Sequence, residues 1–557
     1  MKKEKILNLI VLIVAILFVA IPLLLPNLNI LIGNGSNSIA RSLSLNGQGL
    51  FARVLPNLAN GFGYSWSFFE GNLAYDLLRV FFQLGNNIGF RLFEFVMILL
   101  SGLTMFWLVK VISNNFKIGI LAGGLYVMLP YHLTSLYVTN SVVEQLTFVL
   151  IPLVFVGAHY LINGKKLHLV YPIAQALLLL TDNTIGMMIF VLSILYGLIN
   201  IKKIRENRFG IRFILDICFI LFMTSFDWIA KMQAMFSATY KINVLSDSEK
   251  QSFINSAIDL RKLFVTGKSE VYVFEVGPIL IAMFAMMPIG IMSIAKQYKK
   301  NYVFYLLAFL VFAICSTKLF PWDVFANFGA KLQAPYRLLN IATFFLVIIC
   351  SLNTGAVVNK LQVKHIILLF VLNAICLVFL ANHIQQAEIN DYNVSFGNIT
   401  GKQDEVQVGL NKLEYLPEKA YNNRMYLATR SQDIMVLQGK SVVENSKKEN
   451  GVFTTKIQTV DEDTTYELPF IYYPGYVATA DGVRIATFET DNGMLGIRLP
   501  KKDNFSIRVE YKLSQEMQVA KFISIAFMAI FVGYIIFEIV HKKKNFEIVE
   551  NIENNDN

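Results

Sequence analysis

Histidine, cysteine and charged side chains are all scarce in this chain, and each scarcity removes a class of protein. The six histidines are scattered without ligand spacing and no CxxC pair occurs, so neither a metal centre nor a cofactor site is read. The four cysteines, Cys218, Cys315, Cys350 and Cys376, lie in or at the ends of apolar runs. There a thiol behaves as a small hydrophobe, and no disulfide framework supports the polar portions. Only 16% of residues are charged against 55% hydrophobic, with a mean hydropathy of +0.52, which excludes an ordinary soluble protein of this length.

What is present is a series of apolar runs long enough to cross about 30 Å of hydrocarbon as helices. The expected spans are Ile6–Leu25, Ile88–Ser113, Phe116–Leu133, Glu144–Ile162, His168–Thr181, Thr184–Ile201, Ile211–Ile229, Val276–Ala295, Tyr302–Ser316, Leu338–Val358, His365–Ala381 and Ala520–Val540. The fold class is therefore a polytopic α-helical membrane protein of about twelve spans. Lysine and arginine collect at Lys2 to Lys5, Lys117, Lys165–Lys166, Lys202 to Arg212, Lys296 to Lys300, Lys360–Lys364 and Lys542 to Lys544, in alternate loops. The positive-inside rule then predicts a plasma-membrane protein of bacterial type with both termini cytoplasmic. The first run has no small-x-small site after it and is read as a span rather than a cleaved signal. The net charge of +10 is accounted for by this topology, so no nucleic acid partner follows from it.

Four segments fall on the external side: Pro26–Asn87, Ala230–Glu275, Thr317–Arg337 and Asn382–Val519. The organisation expected is a transmembrane domain over residues 1–381, with external loops 26–87, 230–275 and 317–337. A β-rich domain follows over 382–519, then a last span at 520–541 and a disordered tail at 542–557. Arg424–Arg430, Val483–Thr490 and Phe505–Tyr511 read as strands of a β-sandwich, separated by the turns Ala480-Asp-Gly482, Asp491-Asn-Gly493 and Lys502-Asp-Asn504. Tyr472-Tyr-Pro-Gly-Tyr476 reads as an aromatic corner packing on the sheet, with a carbohydrate-stacking platform as the other reading. The first loop, glycine-rich and dense in aromatics from Leu55 to Asp76, reads as an active-site or ligand loop lying along the membrane face. Glu70 and Asp76 are its acids beside Arg41, Arg53 and Arg79.

Several stretches resemble a family. Tyr131-His-Leu-Thr-Ser-Leu-Tyr137 running to Glu144 and Leu150-Ile-Pro-Leu153, Leu332-Gln-Ala-Pro-Tyr-Arg-Leu338, Gly61-Phe-Gly-Tyr64 with Phe68-Phe69, Leu413-Glu-Tyr-Leu-Pro417 and Tyr473 to Gly482 occur in order along nearly the whole chain. Together they resemble bacterial membrane proteins named for a 6-pyruvoyl-tetrahydropterin synthase-related domain, close relatives of the YfhO family. The resemblance implies a GT-C-like architecture with an extracytoplasmic β-sandwich before the last span. It also implies a glycosyltransferase that moves a sugar from a polyprenyl-phosphate donor to a cell-surface glycan, such as teichoic acid, on the outer face of the bilayer. Four positions depart from that family: Asn34 stands where its first-loop acid is expected, with Ser38 for a histidine, and Thr139-Asn140 replaces Arg-Gly. The alternative is a non-catalytic accessory protein, or a carrier of lipid-linked sugar, that has lost the acid.

Sugar transfer from a lipid phosphate needs a carboxylate to take the acceptor's proton and a cation for the departing phosphate. The candidate acids are Glu70, Asp76 and Glu144; Asp76 also reads as a helix cap or partner of Arg79, and Glu144 as a charge favouring a helix N-terminus. Arg337 is the first candidate for the phosphate, since guanidinium binds phosphate oxygens bidentately, and it also reads as an interfacial anchor. Arg41 and Arg53 are second choices. Asp182, in a short external turn, is a costly acid at membrane depth, and Asp216 is expected to pair with Arg212.

Overall fold

Apolar runs of helical length dominate the first two thirds of the chain, and in the computed structural model those among the described residues are helices. Described are residues 2–24, 34–49, 51–56, 58–208, 210–237, 247–264, 277–285, 296–329, 332–354, 367, 370, 371, 415–444, 446–449, 451–461 and 463–555. The helices in order are α1 Lys2–Ala20, α2 Gly35–Ser44, α3 Leu73–Phe81, α4 Asn86–Ser113, α5 Phe116–Val127, α6 Pro130–Tyr137, α7 Val142–Ile162 and α8 Val170–Thr181. They continue with α9 Asn183–Ile199, α10 Ile201–Glu206, α11 Gly210–Met223, α12 Ser225–Ser237, α13 Asp247–Asn255, α14 Pro278–Ala285, α15 Lys296–Cys315, α16 Trp322–Gly329 and α17 Leu339–Asn353.

Among the described residues five helices are long and apolar enough to cross a membrane, or seven if each of two bent pairs is one span. The count of about twelve is not reached there, and the runs at 276–295 and 365–381 lie largely outside the described residues. Two of the expected spans, Phe116–Leu133 and Ile211–Ile229, are broken. Pro130 disfavours a helical residue before it, and α5 and α6 meet at 46° around Met128–Leu129. Thr224 returns its hydroxyl to the Ile220 carbonyl at 2.8 Å, a back-bond that bends helices, and α11 and α12 meet there at 58°.

The first loop, expected to lie along the membrane face, is packed between the helices and the sheets. It is a buried layer. Leu55 and Tyr64 exchange both backbone hydrogen bonds at 3.0 Å, closed by a turn in which Ala59, Asn60, Gly61 and Gly63 all have positive φ. That brings Phe62, Tyr64, Trp66 and Phe68 inward, where each is almost wholly buried. The physical reason is that aromatic area of this size is stabilising only when removed from water.

Residues 415–511 cover this layer. Short helices α18 Glu418–Asn422 and α19 Arg424–Thr429 lead into ten strands: β1 Met435–Gln438, β2 Ser441–Val443, β3 Lys447–Glu449, β4 Val452–Thr459, β5 Thr464–Ile471, β6 Tyr476–Ala480, β7 Val483–Ile485, β8 Thr487–Glu489, β9 Met494–Leu499 and β10 Lys502–Tyr511. They form two antiparallel sheets, β1-β5-β9-β8 and β2-β4-β10-β6-β7 with β3 beside β4. Phe453 of one sheet meets Phe470 of the other edge to face at 5.8 Å, and Phe470 meets Tyr476 at 5.1 Å, so the sheets share a core.

Two strand assignments need correction. Arg424–Arg430 is mostly helix, because Tyr426 and Arg430, four apart on one helical face, both reach the buried Glu467 carboxylate, at 2.7 and 3.1 Å. Val483–Thr490 is two strands in different sheets, β7 on β6 and β8 on β9. The aromatic corner packs as expected: Ile471 N donates to the Phe62 carbonyl at 3.0 Å, and Tyr476 and Tyr511 stand edge to face at 5.6 Å. A final helix, α20 Gln515–Asn555, runs along α11 and α12, with Ser225 and Ser524 hydroxyls 3.0 Å apart and Phe222 stacked on Phe527, and it continues through residues 542–555, which were expected to be a disordered tail.

The loop is pinned to the helices where Gly71 crosses the end of α8. A Cβ there would stand 2.0 Å from the Leu180 carbonyl oxygen. Gly71→Ala is therefore expected to cost about 2 kcal/mol or more. Thermal melting in detergent checks this, with Gly533→Ala, whose Cβ would meet nothing within 4 Å, as the neutral control.

Candidate functional site

Three helix beginnings converge on one guanidinium. Ser141 caps α7 through its hydroxyl, which accepts from Glu144 N at 3.4 Å, and Asp182 caps α9, Oδ1 accepting from Thr184 N and Ile185 N at 2.9 and 3.0 Å. Pro335–Leu338 forms a 3₁₀ turn leading into α17 and carries Arg337. Arg337 Nε donates to Glu144 Oε1 at 3.1 Å and its Nη2 to Asp182 Oδ2 at 2.7 Å. Glu144 Oε2 accepts from Ser135 at 2.7 Å and from Tyr131 at 3.4 Å. Both acids sit in the first turn or at the cap of a helix, where the macrodipole favours negative charge. All three side chains are at least 89% buried, which makes the ion triad dependent on its geometry.

Beside the triad lies a second pair. Glu70, held at the end of the buried loop by its N–H on the Trp66 carbonyl, accepts from Arg41 Nη1 at 2.5 Å. Arg41 lies 5.0 Å from the Trp66 ring and 5.5 Å from that of Tyr75, whose hydroxyl it also reaches at 3.0 Å. Burial works against the charge on Arg41, but Glu70 and the nearby tyrosines outweigh it and hold the group above the usual arginine value. Glu70 Oε1 further accepts from the Tyr415 hydroxyl and from Gln333 Nε2, both at 2.9 Å. Gln333 Oε1 in turn accepts from Arg337 Nη1 at 3.3 Å. The result is one chain, Arg41–Glu70–Gln333–Arg337, ending on Glu144 and Asp182. Two guanidinium groups and three carboxylates leave it with one net negative charge.

No family model matches the chain, and no curated protein matches it. Among solved structures it is similar to the arabinofuranosyltransferase AftD from Mycobacteria, seen by single-particle cryo-EM. The identity is 12%, over 69% of this chain and 27% of that one, at a TM-score of 0.43. This chain thus spans about a quarter of AftD's length.

Of the residues singled out by sequence, Glu70, Arg41, Glu144, Asp182 and Arg337 are brought together, and Arg53 and Asp76 are not. Arg53 is buried against Asp227 at 3.5 Å, the Phe226 carbonyl at 3.2 Å and the Phe226 ring at 4.3 Å, and it also donates to the Ser67 carbonyl, so it holds the loop on α12. Asp76 pairs with Arg79 at 3.2 Å, and Arg79 donates to the Leu45 carbonyl at 2.6 Å, a link between α3 and the end of α2. Asp216 faces His168 Nδ1 at 3.3 Å in addition to lying in the field of Arg212. Asn34 and Thr139, two of the departures from the family pattern, meet: Asn34 N donates to the Thr139 carbonyl at 2.7 Å. Sequence reasoning gave no role to Gln333 or Tyr415, although both lie inside motifs it quoted. Among the described residues no group of three or more His, Cys, Asp or Glu could hold a metal ion.

Arg337→Ala would strand two buried carboxylates and is expected to destabilise by about 3–5 kcal/mol. Adding Glu144→Gln and Asp182→Asn should restore part of the loss, as read by melting in detergent. Burial raises the Asp76 pKa to about 6, with Arg79 opposing. A carboxyl raised on folding stabilises below its unfolded value and loses that contribution as pH rises through the folded value. Melting temperature should therefore fall between about pH 4 and pH 6, and Asp76→Asn should flatten that limb.

Proposed function

We infer that this protein is a membrane glycosyltransferase of GT-C type, transferring a sugar from a polyprenyl-phosphate donor to a glycan, teichoic acid or similar, on the outer face of a bacterial plasma membrane. The observation that carries the reading is the contiguity of Glu70 and Arg337 through Gln333, at the end of the helices where α7, α9 and α17 begin. A group able to take a proton and a group able to take a phosphate oxygen stand side by side, although they lie 267 positions apart in sequence. The positive-inside pattern supports an external position for this end.

In the step itself the acceptor oxygen bonds to the anomeric carbon as the bond from that carbon to the phosphate oxygen breaks. The bonding pair leaves on the phosphate, and the hydroxyl proton passes to Glu70. Negative charge appears beside Arg337 as it disappears from Glu70, so the net charge of the cluster and its ligand stays constant. Arg337 keeps Nε and Nη2 on Glu144 and Asp182; its Nη1 donates to the Leu332 carbonyl at 3.2 Å and to Gln333 Oε1, and the second of these N–H groups is the one a phosphate oxygen would take. Arg41 orients Glu70. The carrier reading is favoured by a different observation: Glu70 is closed onto Arg41 at 2.5 Å, and a carrier needs no free base.

An assay with radiolabelled polyprenyl-phosphate sugar in proteoliposomes separates the two. Glu70→Gln should lower turnover by at least about a hundredfold while donor binding persists. Donor binding without turnover in wild type and variant alike would establish the carrier instead.

A further inference from the structure

Gln333 is the one residue of the cluster with a strained backbone. Its φ is +66°, in the left-handed region that side-chain-bearing residues seldom adopt. Its neighbours do not demand the strain through burial, because Gln333 itself is exposed. Both ends of its carboxamide are used, and each is used on one of the two groups the transfer reaction requires. Nε2 donates to Glu70 Oε1 at 2.9 Å, as an acceptor hydroxyl would to a base. Oε1 accepts from Arg337 Nη1 at 3.3 Å, as a phosphate oxygen would from a cation.

We propose that the Gln333 carboxamide stands in for the donor's phosphate, its oxygen on the Arg337 Nη1 edge that a phosphate oxygen would take while its amino group covers the Glu70 carboxylate, and that the lipid-linked donor displaces it on binding. This rests on the functional reading above and adds to it a side chain that closes the site until the donor arrives. Strain at a site is held only where the surroundings over-determine it, and here the two hydrogen bonds are what hold it. A donor phosphate on Arg337 Nη1 removes one of them and lets the backbone relax. The resting protein is then a closed state, and the apparent affinity for the donor is lowered by the fraction of molecules in which Gln333 has swung away. Tyr415 keeps its hydrogen bond to Glu70 throughout, so the carboxylate remains oriented when the glutamine leaves.

The test is binding of undecaprenyl phosphate to the full chain in nanodiscs, with undecaprenol as the control lacking phosphate. Gln333→Gly removes the carboxamide and accepts the left-handed backbone without strain. Gln333→Asn also accepts positive φ, but its shorter side chain cannot span both partners. Both variants should bind about three- to tenfold more tightly than wild type, and only to the phosphorylated lipid. Unchanged or weaker binding by both, with wild-type binding intact, would overturn the stand-in and leave the proposed function standing. If neither wild type nor variants bind undecaprenyl phosphate in preference to undecaprenol, the donor class falls and the stand-in falls with it. Melting curves in the same nanodiscs identify any variant that has failed to fold, and the other variant then decides.

Discussion

A guanidinium held between two buried carboxylates is the constraint on which the site end of the molecule depends. Arg337, Glu144 and Asp182 belong to three different helices, and each would be an unpaired charge in a nearly dry environment if the others moved. The cost of separating them fixes the starts of α7, α9 and α17 relative to one another. Asp182 illustrates how economically this is done: one carboxylate oxygen caps α9 through two backbone N–H groups while the other takes the arginine. The capping geometry orients the acid, and the acid orients Arg337.

Around this triad the first loop acts as mortar between helices and sheets. Its aromatic residues are buried, its backbone binds Ile471 through Phe62, and its end reaches α9 through the Asn183 amide on the Phe69 carbonyl at 3.1 Å. Tyr415 stacks on Phe69 with ring centroids 5.1 Å apart and meets Glu70 with its hydroxyl. The segment leading into the sheets thus touches the candidate carboxylate directly. In this arrangement the β-sheet region contributes to the site as well as covering it.

Several of these features were legible in the residues. The apolar runs announced the helices, Glu144 read as a charge favouring a helix N-terminus, and the Asp-Gly and Asn-Gly pairs marked turns where Asp481, Gly482 and Gly493 have positive φ. Glu70, Arg41, Glu144 and Arg337 were recognisable as candidates because charge is rare in this chain. Arg53 was misleading for the same reason: rarity marks a charge as constrained, and a buried structural pair with Asp227 satisfies that constraint as well as a ligand does. Arg424–Arg430 was misassigned because seven residues of mixed polarity fit a period of two and of 3.6 about equally, and the contact with Glu467 that decides between them is distant in sequence.

By itself the sequence determined that the chain is a helical membrane protein with a β-rich portion near its end, since the length of an apolar run is a local property and several alternating runs close together outweigh one misread segment. It also determined which charges were too costly to be accidental. Only the tertiary structure decided which of those charges meet. Whether a given arginine faces a carboxylate, a carbonyl or an open edge depends on helix ends separated by up to two hundred residues. It also depends on the backbone of Gln333, whose left-handed turn no residue type at that position announces.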